Sequence, residues 1–230
     1  MAGGAIRVLA WSEVSEPASV YPKGIHGALA DHLNTCPGIT ARTAQIGDPE
    51  QGVSDQALAE TDVLLWFGHV RHGQVTDETV ARVVAAVKER GMGYLALHSS
   101  HFAKPLKALL GTTCAFRAYV ENGKPGHILV TAPEHPVAKG VAPFTIPKEE
   151  WYGEPFDVPT PEAIVFAGVY NDATELGRDG LVWTVGQGRV FYFRPGHETY
   201  PIYDMPPVRK IIENGVRWLA RRACPDLSRA

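Results

Sequence analysis

Three histidines, His69, His98 and His197, lie just after apolar runs that are far apart in the chain. The preceding runs are residues 63–68, 93–97 and 190–193. Each run has the length and composition of a buried strand, and side chains that follow parallel strands meet at one edge of an open α/β sheet. Imidazole is the commonest protein ligand for zinc and similar metals. We therefore predict that the three histidines hold a divalent metal, with zinc as the expected ion. Alternatively, each is a separate surface or hydrogen-bonded histidine.

Two acidic residues are candidate metal ligands or catalytic groups beside these imidazoles. Glu198 directly follows His197, where it either orients the ring or ligates the metal. Glu154 ends the segment Trp-Tyr-Gly-Glu at residues 151–154 and is a candidate carboxylate ligand or general base. The predicted catalytic residues are therefore His98, Glu154, His197 and Glu198.

A second group of side chains is expected to line a substrate pocket. It consists of His26, Trp66, Ser99, Trp151, Tyr152 and Arg194. Aromatic faces suit sugar rings, whereas the alternative, which the sequence alone favours, is that Trp151 and Tyr152 pin a loop to the body of the protein. His26, in the first turn of a predicted helix, either lines the pocket or only connects elements. Ser99 is also a candidate nucleophile at a strand-to-helix turn, but it lacks the Gly-x-Ser-x-Gly glycines that relieve crowding there.

Apolar strands alternate with amphipathic helices in the first half of the chain. The segment from Thr76 to Gly91 combines an N-cap, a valine stripe and a terminating glycine, which predicts a helix between two parallel strands. In the second half, residues 181–193 predict a hairpin, whereas residues 144–158 are expected to be irregular. We predict one α/β domain over residues 1–230, with a mostly parallel sheet and antiparallel additions in its C-terminal half.

The composition argues against several classes of partner. The 22 basic and 25 acidic residues give a formal charge of −3, whereas nucleic acids and membrane surfaces require concentrated positive charge. No apolar run approaches the roughly 20 residues that cross a bilayer, and the first residues predict a strand rather than a signal peptide. Cys36, Cys114 and Cys224 are widely spaced and odd in number. We therefore expect a cytoplasmic protein with reduced thiols, and its hairpin edges would allow a homo-oligomer.

Five segments resemble the ThuA-like family, which is named for trehalose utilisation. They are residues 21–26, 64–69, 95–102, 150–156 and 191–201, the last reading Phe-Tyr-Phe-Arg-Pro-Gly-His-Glu-Thr-Tyr-Pro. This family resembles the class I glutamine amidotransferase-like superfamily, so the resemblance implies a flavodoxin-like three-layer α/β/α fold. Amidotransferases carry a cysteine nucleophile at the strand-to-helix elbow, where this chain has His98, and their His-Glu pair resembles His197-Glu198. Without that cysteine, we predict no glutaminase activity.

The resemblance implies sugar catabolism, with a trehalose-like disaccharide or its oxidised keto derivative as the substrate. The first hypothesis is a cytosolic, metal-dependent hydrolase, lyase or isomerase whose metal polarises a sugar carbonyl or activates water. A second hypothesis is a non-catalytic sugar-binding or regulatory protein that keeps an amidotransferase-like pocket. A third is a metal-free hydrolase that uses Ser99 with His197.

Overall fold

The computed structural model describes residues 4–221, which form eleven strands and five α-helices. The strands are β1 (Ile6–Ser12), β2 (Ile39–Gln45), β3 (Val63–Phe67), β4 (Gly93–Leu97), β5 (Phe116–Glu121), β6 (Gly126–Val130), β7 (Phe144–Ile146), β8 (Glu150–Phe156), β9 (Ala163–Tyr170), β10 (Glu175–Val185) and β11 (Gly188–Phe193). The helices are α1 (Gly24–Asn34), α2 (Asp55–Ala59), α3 (Asp77–Arg90), α4 (Lys104–Leu110) and α5 (Pro206–Leu219). Cys224 lies outside the described residues. Between residues 4 and 221, no helix has the length and apolar character needed to cross a membrane.

Nine strands form one sheet in the order β2-β1-β3-β4-β11-β10-β9-β6-β7. Its first five strands are parallel, and from β11 onwards each neighbouring pair is antiparallel. The antiparallel pair β5–β8 stands apart as a second sheet. The carboxyl ends of β3, β4 and β11 therefore lie side by side, and the residues that follow these strands share one edge of the sheet.

Helices cover both faces of the sheet because each keeps an apolar stripe that must leave water. On one face, α1 and α5 bury side chains such as Ile25 and Ile211. On the other face, α2, α3 and α4 bury Leu58, Val83 and Leu106. This three-layer α/β/α arrangement, with its mostly parallel sheet and antiparallel extension, confirms the predicted fold class.

The helix predicted between Thr76 and Gly91 forms as α3 and sets the crossover from β3 to β4. The Thr76 hydroxyl accepts a hydrogen bond from the Thr79 backbone N–H at 3.2 Å, and Gly91 ends the helix with a φ of 78°. A left-handed φ of this kind suits glycine, which has no Cβ to crowd the backbone.

The prediction that residues 144–158 are irregular is wrong, because this segment contains β7 and β8. The segment 151–154 therefore lies in a strand rather than in a loop. Strand β8 pairs with β5, which lies about thirty residues earlier and shows no strong local strand signal. Alternation along β8 places Glu150 and Tyr152 on the same face of the strand.

Candidate functional site

His98 lies at the sharp turn where β4 ends and a short 3₁₀ helix, His98–Phe102, begins. Its φ of 46° falls in the left-handed region that side chains with a Cβ rarely adopt. Strained backbone of this kind clusters at functional sites, and the carboxyl end of a central parallel strand is where open α/β sheets bind ligands. We therefore take His98 as the centre of the candidate site.

The structure brings the three predicted histidines into one row. The rings of His98 and His197 have centroids 5.7 Å apart. Glu198 joins His69 to this pair, since its carboxylate oxygens lie 3.6 Å from Nδ1 of His69 and 3.6 Å from Nδ1 of His197. The row runs from His69 through Glu198 and His197 to His98.

Hydrogen bonds fix which nitrogen of His98 carries the proton. Its Nδ1 lies 2.9 Å from the backbone carbonyl oxygen of Arg194, which only accepts, so we assign the proton to Nδ1. In the singly protonated ring, Nε2 then has a lone pair, and this lone pair accepts from the Tyr152 hydroxyl at 2.9 Å. A carboxylate oxygen of Glu150 lies 3.2 Å from the same nitrogen. When Nε2 is unprotonated it is the basic atom of the ring, and the Glu150 carboxylate beside it accepts a hydrogen bond from Nε2 once a proton arrives there.

His197 has the opposite tautomer. The backbone N–H of Thr199 donates to its Nδ1 at 3.0 Å, so Nδ1 has a lone pair and the proton lies on Nε2. Nε2 faces a carboxylate oxygen of Glu121 at 4.0 Å, and the ring stacks on Tyr200 with centroids 4.2 Å apart. His98 thus offers a base and His197 an acid within one small space.

Two pKa values shift in these surroundings. Burial raises the pKa of Glu150, but a hydrogen bond from the protonated form of His98 and the positive charges that His98 and His197 carry when protonated outweigh burial, so the pKa lies below its ordinary value. Burial, followed by repulsion from His98, lowers the pKa of His197, although nearby carboxylates oppose the shift. Near neutral pH, Glu150 is therefore ionised and His197 is neutral.

Glu154, the predicted general base, is held by Arg178. The guanidinium of Arg178 donates to both carboxylate oxygens at 2.9 and 2.8 Å, and the backbone N–H groups of Arg178 and Phe156 donate to them as well. The carboxylate that contacts the histidine row from β8 is instead that of Glu150.

Arg194, predicted to bind substrate, is completely buried. Its guanidinium pairs with Asp179 and Glu149, hydrogen-bonds to Tyr170, and donates to the Glu150 backbone oxygen at 3.2 Å. Its own carbonyl accepts from His98. Arg194 therefore supports His98 from inside the protein, through its own carbonyl oxygen and through the backbone of Glu150.

The two tryptophans that were predicted to line the substrate pocket lie in the hydrophobic cores of the molecule. Trp66 is fully buried and stacks on Trp11 with centroids 3.6 Å apart. Trp151 is 6% exposed and stacks on Tyr170. In contrast, Tyr152 lies directly on His98, with ring centroids 4.9 Å apart.

Ser99 and His26 are also largely buried. The Ser99 hydroxyl donates to the Gly68 carbonyl at 2.8 Å, which ties the turn after β4 to the end of β3. His26 lies in the first turn of α1, with its Nδ1 3.8 Å from a carboxylate oxygen of Glu16. Neither residue contacts His98 or His197 through a hydrogen bond or an ion pair.

Sequence reasoning missed Glu150 and Glu121, the carboxylates nearest to Nε2 of His98 and of His197. Both residues belong to the β5–β8 pair, in which they are directly opposite each other. A strand assignment for residues 150–156 would have placed Glu150 on the face of Tyr152, so the alternation of side chains was the available signal.

Comparison with known proteins places the chain in a family. A family model described as ThuA, trehalose utilisation, matches residues 7–219. The chain belongs to the ThuA family. No curated protein matches it in sequence.

Solved structures show that the fold of this ThuA protein recurs. A putative ThuA-like protein from Bacteroides uniformis is 18% identical, with a TM-score of 0.67 over 95% of this chain and 93% of that one. A cytoplasmic protein from Salmonella typhimurium LT2 is 13% identical, with a TM-score of 0.65 over 93% and 99%. Another cytoplasmic protein from Salmonella typhimurium is 16% identical, with a TM-score of 0.63 over 93% and 99%. At these identities, the similarity concerns the fold alone.

The metal prediction finds no support in the arrangement of side chains. Within residues 4–221, no group of three or more His, Cys, Asp or Glu side chains is arranged to hold a metal ion. Both ring nitrogens of His98 already have protein partners, and the contact of His69 with the row runs through Glu198. The zinc assignment to His69, His98 and His197 thus stays a prediction, and we derive no chemical step from it.

Gly196 permits the close approach of the loop after β11 to the site. A Cβ at this position would overlap the Tyr203 hydroxyl and lie 2.8 Å from Cβ of His98. We expect Gly196→Ala to lower the free energy of unfolding by about 1–3 kcal/mol, because an extra methyl group in a packed region forces its neighbours to move. Urea denaturation measures this loss. Gly73→Ala is the control, since a Cβ there meets nothing within 4 Å, and an equal effect of both substitutions would contradict the prediction.

His101 makes stability depend on pH. Burial, opposed by its hydrogen bond to the Cys114 carbonyl, lowers the pKa of His101 to about 3. Between about pH 6.5 and 3 the unfolded chain binds a proton there that the folded protein does not, so stability falls as the pH falls. We expect His101→Phe to reduce the slope of unfolding free energy against pH by about 1.4 kcal/mol per unit in this window. Denaturation at several pH values measures it, and an unchanged slope would refute the assignment.

Proposed function

We propose that this protein is a cytoplasmic acid–base enzyme of sugar catabolism that acts on a trehalose-like disaccharide or its keto derivative. The single observation that carries the proposal is the pair of contacts at Nδ1, with the Arg194 carbonyl beside His98 and the Thr199 N–H beside His197, from which we assign a lone pair to Nε2 of His98 and a proton to Nε2 of His197. The family's description, trehalose utilisation, supports the substrate class. The similar Salmonella proteins are described as cytoplasmic, which supports the location.

The chemistry that suits this pair is proton transfer next to a sugar carbonyl, which the keto derivative carries and trehalose itself does not. Nε2 of His98 takes the proton from the carbon beside the carbonyl, and the electrons of that C–H bond form a carbon–carbon double bond. Nε2–H of His197 donates a hydrogen bond to the carbonyl oxygen and stabilises the enediolate that forms, while the ring keeps its proton. Glu150, 3.2 Å from Nε2 of His98, stabilises the imidazolium that forms. Return of the proton from His98 to the former carbonyl carbon, with the proton of the adjacent hydroxyl moving to the former carbonyl oxygen, isomerises the sugar. Loss of a group from the carbon beyond the double bond, which leaves with the proton held by His98, cleaves it instead.

Hydrogen–deuterium exchange tests this proposal before the complete reaction is known. The protein is incubated in deuterium oxide with trehalose and with a derivative in which one ring hydroxyl is oxidised to a ketone. We expect NMR to show deuterium at the carbon beside the ketone, at a rate that depends on protein concentration. Absence of exchange, together with no change in either sugar, would refute the proposal.

The same assay decides the role of a metal. Metal analysis of unchelated protein and exchange measured with and without a chelator test the zinc prediction. Stoichiometric zinc, loss of exchange with the chelator and recovery with zinc would support a metal-dependent enzyme. Exchange that persists in metal-free protein would support the imidazole pair acting alone.

A non-catalytic sugar-binding or regulatory protein is the second candidate. The observation that favours it is the complete burial of His98, both of whose ring nitrogens have protein partners. This candidate predicts tight sugar binding without exchange or turnover. Calorimetric titration with trehalose, run beside the exchange assay, separates the two candidates. Labelling of Ser99 by a serine-directed reagent would instead support a hydrolase that uses Ser99 with His197.

We also expect no release of ammonia from glutamine. The elbow after β4 carries His98 rather than a cysteine, and Cys36 and Cys114 are both buried. Burial raises the pKa of the Cys114 thiol, which disfavours the reactive thiolate. Thioester chemistry therefore lacks a nucleophile at the site. An ammonia assay with pure protein and glutamine measures this, and protein-dependent ammonia release would overturn the expectation.

A further inference from the structure

We infer that His69 and Glu198 form a subsite that binds one hydroxyl group of the sugar, beside the acid–base pair. The inference rests on the proposed function and extends it to substrate recognition. It starts from two buried polar atoms, Oε2 of Glu198 and Nδ1 of His69, which have no hydrogen-bond partner in the protein. They lie 3.6 Å apart, which is too far for a direct hydrogen bond.

Oε2 of Glu198 lacks a hydrogen-bond donor within the protein. Its side chain is only 13% exposed, and a mostly buried carboxylate is costly unless donors satisfy it. The neighbouring His197 does not supply one. Its Nδ1, 3.6 Å from Oε1 of Glu198, already accepts from the Thr199 backbone N–H and therefore carries no proton to give. The protein therefore leaves Oε2 of Glu198 available to a donor from outside.

A hydroxyl group matches both orphan atoms. A separation of 3.6 Å allows one oxygen to lie about 2.8 Å from each atom, and the partly exposed His69 ring has to turn slightly to admit it because both atoms are buried. The hydroxyl donates its proton to Glu198 and accepts from His69 when Nδ1 of that ring is protonated. A carbonyl or ether oxygen has no proton for the carboxylate, and an ammonium group has no lone pair for His69. The pair therefore selects a group that both donates and accepts.

The position of the pair favours a substrate hydroxyl. Glu198 is adjacent in the chain to His197, the proposed acid, and the His69 side chain is 28% exposed although its Nδ1 is buried, so the subsite lies close to the protein surface at its His69 end. A sugar ring at the acid–base pair carries hydroxyl groups on carbons next to the reacting one. The ring that His98 and His197 act on would thus be held by a neighbouring hydroxyl.

Binding of deoxygenated sugars tests the inference. Trehalose and its 2-, 3-, 4- and 6-deoxy derivatives are titrated into the wild-type protein and into Glu198→Gln and His69→Phe. We expect each variant to bind trehalose about tenfold or more weakly, because each loses a hydrogen bond that involves a charged group. One deoxy sugar should show the same loss with the wild type and no further loss with the variants. His127→Phe and Glu134→Gln, both at exposed positions, are the controls and should bind all five sugars as the wild type does.

The outcomes separate the inference from the proposed function. If both variants weaken every deoxy sugar equally, or weaken none, the pair holds only water and the subsite is wrong. If the expected pattern appears while the wild type shows no deuterium exchange, the subsite stands and the catalytic proposal fails. If exchange occurs and the variants change neither binding nor exchange, the proposed function stands without the subsite. If neither these sugars nor the keto derivative binds the wild type, both are wrong.

Discussion

Replacement of His98 by asparagine is expected to slow deuterium exchange into the keto sugar by about 100- to 10,000-fold, the usual contribution of one general base. The substitution removes Nε2, the lone pair that takes the proton, and with it the contact to Glu150. Asparagine suits the test because, after glycine, it is among the residues that most readily adopt the left-handed backbone found at this position, where φ is 46°. The exchange rate is read by NMR, with circular dichroism and urea denaturation to show that the variant is folded.

A remote histidine provides the control for this prediction. His127 lies on β6, where its side chain is exposed and hydrogen-bonds to Thr145 at 2.9 Å. His127→Asn should exchange at the wild-type rate. A folded His98→Asn protein that exchanges within a few-fold of the wild type would remove His98 from the mechanism, and His197 alone would then have to act.

The parallel half of the fold could be predicted from sequence because its signals are local. Val63–Phe67 and Gly93–Leu97 are continuous apolar runs, and the helix between them carries its own cap, stripe and terminating glycine. Short connections of this kind leave one favoured handedness, so the side-by-side arrangement of β3 and β4 follows without knowledge of distant contacts. The proximity of His69 to the end of β4 rests on that arrangement.

The carboxylates of the site are harder to predict because their positions depend on pairing across the chain. Strand β8 contains two glutamates, a glycine and a proline, which are all poor strand formers. It is held by β5, and no property of residues 150–156 alone indicates that partner. Without the strand assignment, Glu150 and Glu154 are equally good candidates for the catalytic carboxylate. The residue types also do not indicate that the Arg178 guanidinium binds both carboxylate oxygens of Glu154.

The orientation of the imidazoles is beyond sequence reasoning for a different reason. The tautomers of His98 and His197 depend on two backbone groups, the Arg194 carbonyl and the Thr199 N–H, whose directions are set by the turn after β11. Residue types do not encode those directions. The motif that carries His197 predicts a functional region, but only the folded chain assigns a base to one ring and an acid to the other.

Arg194→Met is expected to lower the free energy of unfolding by about 3–5 kcal/mol, a large share of the roughly 5–15 kcal/mol that stabilises a typical domain. The Arg194 and Asp179 side chains are both completely buried, with the guanidinium Nε 2.5 Å from the carboxylate. Without Arg194, Asp179 and the nearly buried Glu149 lose their cation and remain in a medium that disfavours charge. Urea denaturation measures the loss, and Asp179→Asn in the same chain should recover part of it by removing one stranded carboxylate.

The neighbouring ion pair on β10 gives the matched comparison. Arg178 and Glu154 each keep 26% of their side chains exposed, so Arg178→Met should cost no more than about 1 kcal/mol, as partly solvated pairs do. The Arg194 variant should also change the ring-nitrogen NMR signals of His98. The Glu150 backbone loses the hydrogen bond from the guanidinium, and the backbone carbonyl at position 194, which contacts Nδ1 of His98, is expected to move. Equal costs for the two arginine variants, with unchanged His98 signals, would show that Arg194 neither stabilises the fold through its charge nor positions the imidazole.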